Sequence, residues 1–229
     1  MCIVKTLLSW SSGKDSAWSL HRMQSDDRHE VVGLLTTVNR NADRVAMHAV
    51  RSELLRRQAE AAGLPLWIVP IPSPCSNEEY ERVMGDAVRH AEAEGIECIA
   101  FGDLFLEEIR AYREEKLAPT KIRPHFPLWG SDTRTLAREM IEGGLRARIT
   151  CVDPRVLDAS FAGREFDAAL LDALPATIDP CGERGEFHTF AHEGPMFRER
   201  IAIESGVIVE RDGFVFADLL PSRATLGVT

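Results

Sequence analysis

At 229 residues, with 45% hydrophobic and 28% charged side chains, the chain has room for one globular domain, or one and a half, around a real core. Its formal net charge of −9 argues against a protein that grips nucleic acid by its phosphates, and no apolar stretch is long enough for a membrane partner. The opening run lacks the basic lead and the length of a signal peptide, and the five scattered cysteines (Cys2, Cys75, Cys98, Cys151, Cys181) form no CxxC pair, which argues against a zinc site or a disulfide framework and for a reducing cytoplasm.

Along the chain, apolar runs alternate with helical patterns as far as residue 152. Residues 3–9 read as a buried strand, followed by a glycine-bearing loop and a helix from Asp15 to Met23. The β-branched stretch 29–38 is a second strand, and Met47 to Ala62 is a helix that stops at Gly63 ahead of Pro65. A third strand spans 66–71; Ser76 or Asn77 then caps a helix running to Glu94. Residues 96–103 read as a fourth strand, 132–143 as a helix and 146–152 as a fifth strand. After Asp153 the pattern shifts to a short helix from Phe166 to Leu174, a stretch rich in Gly, Pro, His and Glu up to Phe197, and three short strands with turns at Ser205-Gly206 and Asp212-Gly213.

Strands separated by helices need crossover connections, so the expected fold is α/β. It has a doubly wound, parallel, five-stranded sheet over 1–152 and a smaller C-terminal α+β part over 153–229. Ligands in such sheets lie beyond the carboxyl ends of the strands. Three unusual polar segments fall there: the loop after strand one, the connection from Thr36 to His48, and Gly102-Asp103. No flexible linker separates the two parts, so the site is expected between them.

The loop Ser11-Ser12-Gly13-Lys14-Asp15-Ser16 joins a strand to a helix. Glycine and small hydroxyl residues let backbone approach an anion, and the helix start supplies unpaired N–H groups and a positive partial charge. A polar turn with an Asp or Ser cap would look similar on composition alone; placement at the first strand of a parallel sheet favours anion binding. With one glycine and Asp15 after the lysine, it is not the commoner phosphate loop.

The second informative stretch is Asp179-Pro180-Cys181-Gly182-Glu183-Arg184-Gly185-Glu186-Phe187-His188-Thr189-Phe190. A solvated turn would also be rich in Gly and Glu. His188 and His192 have a four-residue spacing that suits metal only on a helix, and Gly185, Gly194 and Pro195 disfavour one. Cys181 fits a small buried residue better than a nucleophile.

The first loop resembles the PP-loop, Ser-Gly-Gly-x-Asp-Ser, of the ATP pyrophosphatases, with Ser12 where glycine is usual; a serine fits there if its backbone angle stays in an allowed region. Together with Gly-Glu-x-Gly-Glu-Phe-His-Thr, Gly102-Asp103, Gln58-Ala59 and Gly194-Pro195-Met196-Phe197, the whole chain resembles the diphthine–ammonia ligase family. The resemblance implies an adenine nucleotide α-hydrolase-like domain plus a substrate domain. The implied reaction is activation of a carboxylate acceptor by ATP, then capture by ammonia to give an amide, AMP and pyrophosphate. It implies that Ser11, Ser12, Gly13, Lys14, Asp15 and Ser16 hold the phosphates. Thr36, Thr37, Met47, His48, Gly102 and Asp103 would meet the nucleoside, and Asp15 and Asp103 a Mg²⁺ ion. Lys14 and Asp15 would be catalytic with Glu183, Glu186 and His188, while Gly182, Glu183, Glu186, His188 and Thr189 would line the acceptor side. Two other readings compete: a PP-loop tRNA-modifying or thiolating enzyme, which needs paired cysteines and a basic surface, and a non-catalytic ATP- or AMP-binding module. The residues name neither the acceptor nor the oligomeric state, a homo-oligomer included.

Overall fold

The computed structural model describes residues 3–39, 44–45, 50–72 and 74–222. The parallel sheet is built from β1 (Val4–Ser9), β2 (His29–Asn39), β4 (Leu66–Ile71), β5 (Cys98–Ala100) and β6 (Arg123–His125) in the order β4-β2-β1-β5-β6. The two-residue β3 (Arg44–Val45) pairs antiparallel with the end of β2. From β1 the chain winds outward to β2 and β4, then returns to the other side of β1 for β5 and β6. The loop after β1 therefore lies at the point where strand order reverses, which is where open α/β sheets bind ligands.

Both faces of the sheet are covered, as the near-continuous apolar runs require. Leu8, Leu34 and Ala100 face a core shared with α1 (Lys14–Gln24), α2 (Ser52–Ala62) and α5 (Thr133–Glu142), and Leu7, Leu35 and Ile99 face the opposite core under α3 (Asn77–Ala93) and α4 (Glu107–Leu117). Local chemistry sets the helix ends. Gly63 closes α2 in the left-handed region at φ 69°, Ser76 Oγ caps α3 by accepting from Glu79 N at 3.2 Å, and Asp132 caps α5 by accepting from Thr135 N at 2.9 Å.

The second sheet is antiparallel, in the order β8-β7-β10-β9: β7 (Arg146–Val152), β8 (Phe187–Glu193), β9 (Ile203–Arg211) and β10 (Phe214–Pro221). A 3₁₀ turn (Ala159–Phe161) and α6 (Ala168–Ala173) connect β7 to the loop before β8. Phe166, Phe187, Phe190, Ile149 and Val215 join the core under α1, so the two sheets share one interior.

The parallel sheet has five strands as expected, but its fifth strand is β6, not residues 146–152. β6 is three residues long and contains Pro124, features that hide a strand and suit the sheet edge it occupies. β7 carries exposed Arg146 and half-buried Arg148 alternating with buried Ala147 and Ile149, the period-two pattern of an antiparallel sheet with one wet face. β8 lies in the Gly-, His- and Glu-rich stretch that reads as irregular. β9 runs unbroken through Ser205-Gly206, while Asp212 and Gly213 make the hairpin turn with φ 53° and 79°. Among the described residues no helix is long and apolar enough to cross a membrane.

Candidate active site

The loop between β1 and α1 is held in shape before any ligand is considered. Trp10 N donates to Leu35 O at 2.7 Å, Gly13 N to Ser11 Oγ at 3.3 Å, and Ser16 Oγ to Gly13 O at 3.0 Å. Ser12 lies in the left-handed region at φ 70°. That conformation explains why glycine suits the position, and it makes this serine a strained residue. Its carbonyl is pinned from two directions, by Ala191 N at 2.9 Å and by Gln58 Nε2 at 3.0 Å.

Gln58, on α2 and fully buried, is the hub of this arrangement. Its Nε2 also donates to Ala191 O at 2.6 Å, and its Oε1 accepts from Trp10 Nε1 at 3.0 Å. One amide thus joins the residue before the loop, the strained residue within it, and β8. Sequence reasoning noted Gln58 only as part of a resemblance; a glutamine on an amphipathic helix carries no sign that it faces inward.

β8 meets the loop along its length. Thr189 Oγ1 accepts from Lys14 N at 3.1 Å, taking one of the first amides of α1, and Ala191 closes on Ser12 two residues further on. Upstream, Glu183 Oε1 accepts from Leu104 N at 2.7 Å, which ties the second motif to the segment after β5. The two motifs therefore form a single site.

Lys14 turns inward. Its ammonium is 2% exposed, bonds to Asp15 Oδ2 at 2.8 Å and to the Cys181 carbonyl, and lies over the rings of Phe166 and Phe187 at 5.6 and 5.4 Å. Burial alone would pull it down; the Asp15 carboxylate beside it overrides this and holds it above its ordinary value.

Three buried polar atoms at the loop have no partner among the described residues: Ser12 Oγ, Asp15 Oδ1, and Thr36 Oγ1 on β2. Unpaired buried groups cost stability, and a ligand rich in donors and acceptors would complete them. Thr37, half-buried, pairs in register with Val69 of β4. Met47 and His48 lie outside the described residues. A Cβ on Gly102 would come within 3.2 Å of the Asp15 and Ser16 backbone, so the glycine lets the segment after β5 approach the start of α1 closely. Asp103 sits 3.6 Å from Arg113 on α4, a mostly charged helix that buries Leu117 and shows no apolar stripe in the sequence; burial raises its carboxyl against the pull of that guanidinium.

In the second motif the carboxylates divide. Glu186, 5% exposed, accepts from Asp179 N at 3.1 Å and Arg184 N at 2.9 Å, so it folds its own loop. Gly182 permits that fold: its φ is 67°, and a Cβ would meet the Phe187 carbonyl at 2.8 Å. Glu183 is pushed up to about 7 by burial, opposed by the Leu104 amide and reinforced by Asp15 and Asp103. His188 is lowered to about 4 by burial and by the Lys14 charge, so it is neutral at neutral pH. A bulge at Thr150 on β7, where the register shifts beside His188, aims this end of β8. His192 is on the same strand, and its Nε2 lies 3.2 Å from Glu165 Oε2.

Beside this loop opens a cavity of about 380 Å³ lined by Phe105, Asp132, Thr133, Arg134, Asp179 and Arg184. Cys181, 1% exposed, donates to Thr133 O at 3.5 Å, and burial pushes its thiol well above the ordinary range. Sulfur transfer needs an accessible thiolate, so nothing here favours the thiolation reading.

Residues 4–118 match the diphthamide synthase N-terminal domain, and residues 132–216 match the diphthamide synthase C-terminal domain. The chain is similar to the diphthine–ammonia ligase of Danio rerio, at 28% identity over 90% of this chain and 89% of that protein. It is also similar to those of Rattus norvegicus and Bos taurus, at 26% and 24% identity over 90% of this chain and 85% of each. With both halves of the chain matched in order, and with the two motifs joined in one site, the chain belongs to the diphthamide synthase family.

Proposed function

We propose that this chain is an ATP-dependent, AMP-forming amide ligase that joins ammonia to the carboxylate of diphthine. The observation that carries this reading is the docking of the second motif and β8 on the nucleotide side: Lys14 N with Thr189 and Ser12 O with Ala191 at the PP-loop, and Glu183 with Leu104 after β5. A nucleotide-binding module alone has no need for a second motif seated on its phosphate loop.

The chemistry runs in two balanced steps. A carboxylate oxygen of the acceptor attacks the α-phosphorus of ATP, and the α–β bridge breaks to release pyrophosphate. Ammonia nitrogen then attacks the acyl carbon, AMP departs, and the nitrogen loses a proton. Glu183, poised near neutrality, is the group we assign to receive it. Transfer at phosphorus depends on positioning and charge more than on covalent help. Ser11, Ser12, Gly13 and Ser16 would bind the phosphates, and Thr36 and Thr37 the nucleoside. Lys14 would act from behind the loop by fixing Asp15 and the Cys181 carbonyl. Glu186 and Gly182 would shape the acceptor loop, and neutral His188 and Thr189 would orient it. Asp15, with its unpartnered Oδ1, and Asp103 fit a Mg²⁺ ion; when bound, that ion supplies positive charge to the pyrophosphate.

We assign the acceptor to the neighbouring cavity, where Arg134 and Arg184 offer charge to a carboxylate and Asp132 and Asp179 to a cation. The border between nucleotide and acceptor parts is proposed to fall ahead of β7, at 145 and not at 152, because β7 pairs with β8 and β10 of the second sheet. A reducing, cytoplasmic setting is proposed from the free state of Cys75, Cys98, Cys151 and Cys181. The reading is tested by isotope exchange between pyrophosphate and ATP without ammonium. Exchange that depends on the acceptor is expected; none, in an enzyme that turns over when ammonium is added, would rule out a free adenylate.

A further inference from the structure

Three side chains from two segments of the chain, neither of them in the PP-loop or the second motif, converge. Asp26 lies in the turn between α1 and β2, His29 opens β2, and His125 ends β6. All three are half-buried, and each offers a ligand-capable atom within 4.8 Å of the others. The imidazoles stack with centroids 4.5 Å apart and planes 12° from parallel, so one ring has to turn before both can aim an in-plane nitrogen lone pair at the same ion. β1 and β5 lie between the two strands that carry the histidines, and Thr6, Cys98 and Ala100 on them have small side chains.

The geometry points to a divalent transition-metal site formed by Asp26, His29 and His125, of the kind Zn²⁺ occupies with two imidazole nitrogens, one carboxylate oxygen and an open fourth position. One observation supports it beyond proximity. Thr6 Oγ1 lies 3.1 Å from His29 Nδ1, which engages that nitrogen, fixes the ring and leaves Nε2 to ligate. The mixed nitrogen and oxygen donors favour Zn²⁺ or its neighbours over Mg²⁺, which prefers oxygen alone. Paired cysteines play no part, so a search on cysteine spacing passes over this set.

Arg28 is the group that opposes binding. Its guanidinium holds both oxygens of Asp26, at 2.9 and 3.0 Å, and its positive charge lies beside the site. It is 72% exposed, however, and a carboxylate keeps lone pairs for a second partner. A metal here would clamp the turn after α1 to the end of β6.

The test is calorimetric titration of chelator-treated full-length protein with Zn²⁺, beside the absorption spectrum of the Co²⁺ form. One ion per chain is expected, with visible bands of a low-coordinate Co²⁺ site and no competition from Mg²⁺. His29→Ala and His125→Ala should each weaken binding at least tenfold, the scale of losing even an outer-shell partner. Arg28→Ala should bind at least as tightly as the natural chain. Melting curves guard against misfolded variants: Zn²⁺ should raise the melting temperature of the natural chain and leave that of His125→Ala unmoved. No stoichiometric binding, or binding and thermal shift retained in both histidine variants, would overturn the assignment.

Discussion

Glu183 and His188 sit five residues apart in the chain and are driven in opposite directions by the same burial. Glu183, raised to about 7, loses its proton across the neutral range. If it accepts the proton from ammonia, kcat should climb from pH 6 to 8 with a midpoint near 7. Glu183→Gln should remove that limb and cost about a hundredfold in kcat, the scale of a positioned base. A variant that keeps the limb would assign it to another group. His188, lowered to about 4, affects stability. A depressed histidine leaves the folded state without a proton that the unfolded chain takes up. Its contribution is therefore intact above the unfolded value near 6.5 and is lost as pH falls through about 4. The full loss is about 3 kcal/mol at most. Urea midpoints should fall less between pH 7.5 and 4.5 in His188→Gln than in the natural chain; equal falls would contradict the assignment. Ser12 carries a different residue-scale lesson. Its departure from glycine was legible in the sequence, yet its consequence was not, because the sign of φ is set by the two hydrogen bonds on its carbonyl.

Gln58 shows how an element becomes part of a site it does not line. Through it, α2 holds the residue before the loop, the loop itself and β8. Gln58→Leu would strand one buried donor and leave two carbonyls short of a bond, costing about 1–3 kcal/mol for each group left unsatisfied. ATP affinity should drop at least tenfold by equilibrium binding. Adding Ser12→Gly should recover part of it, since glycine adopts φ 70° without being held there. Undiminished affinity in Gln58→Leu would show that the loop shapes itself. The elements also mark where sequence reading stops. Long amphipathic helices with caps, such as α3 behind Ser76, and unbroken apolar strands, such as β1, were plain. β6 was not, because three residues around a proline carry no periodicity. β8 was hidden by residues chosen for chemistry: Glu186 and Gly182 serve the loop before it, and His188 and Thr189 serve the site, so its pattern reads as irregular. The direction of Lys14 was also out of reach, since the Cys181 carbonyl that receives it stands in a distant segment.

At the scale of the molecule, the parallel sheet presents its switch point and the antiparallel sheet closes over it, with β8 as the shared wall and one core running beneath both. This arrangement places a carboxylate near neutrality, an unpartnered Asp15 oxygen and a cavity with both signs of charge around one loop. The α/β architecture was readable from the alternation of elements, and the loop after β1 stood out by its position and by its resemblance to the PP-loop. The clasp between the motifs was not, because it is made by backbone amides that composition does not report. The most direct test of the whole account is the fate of ATP labelled at its α-phosphate. The purified chain is given Mg²⁺, ammonium and a diphthine-bearing acceptor, and AMP and amide are counted. The account predicts label in AMP, equimolar with pyrophosphate and amide, with little release when either acceptor or ammonium is withheld; label appearing mainly in ADP, with phosphate as the co-product, would contradict it.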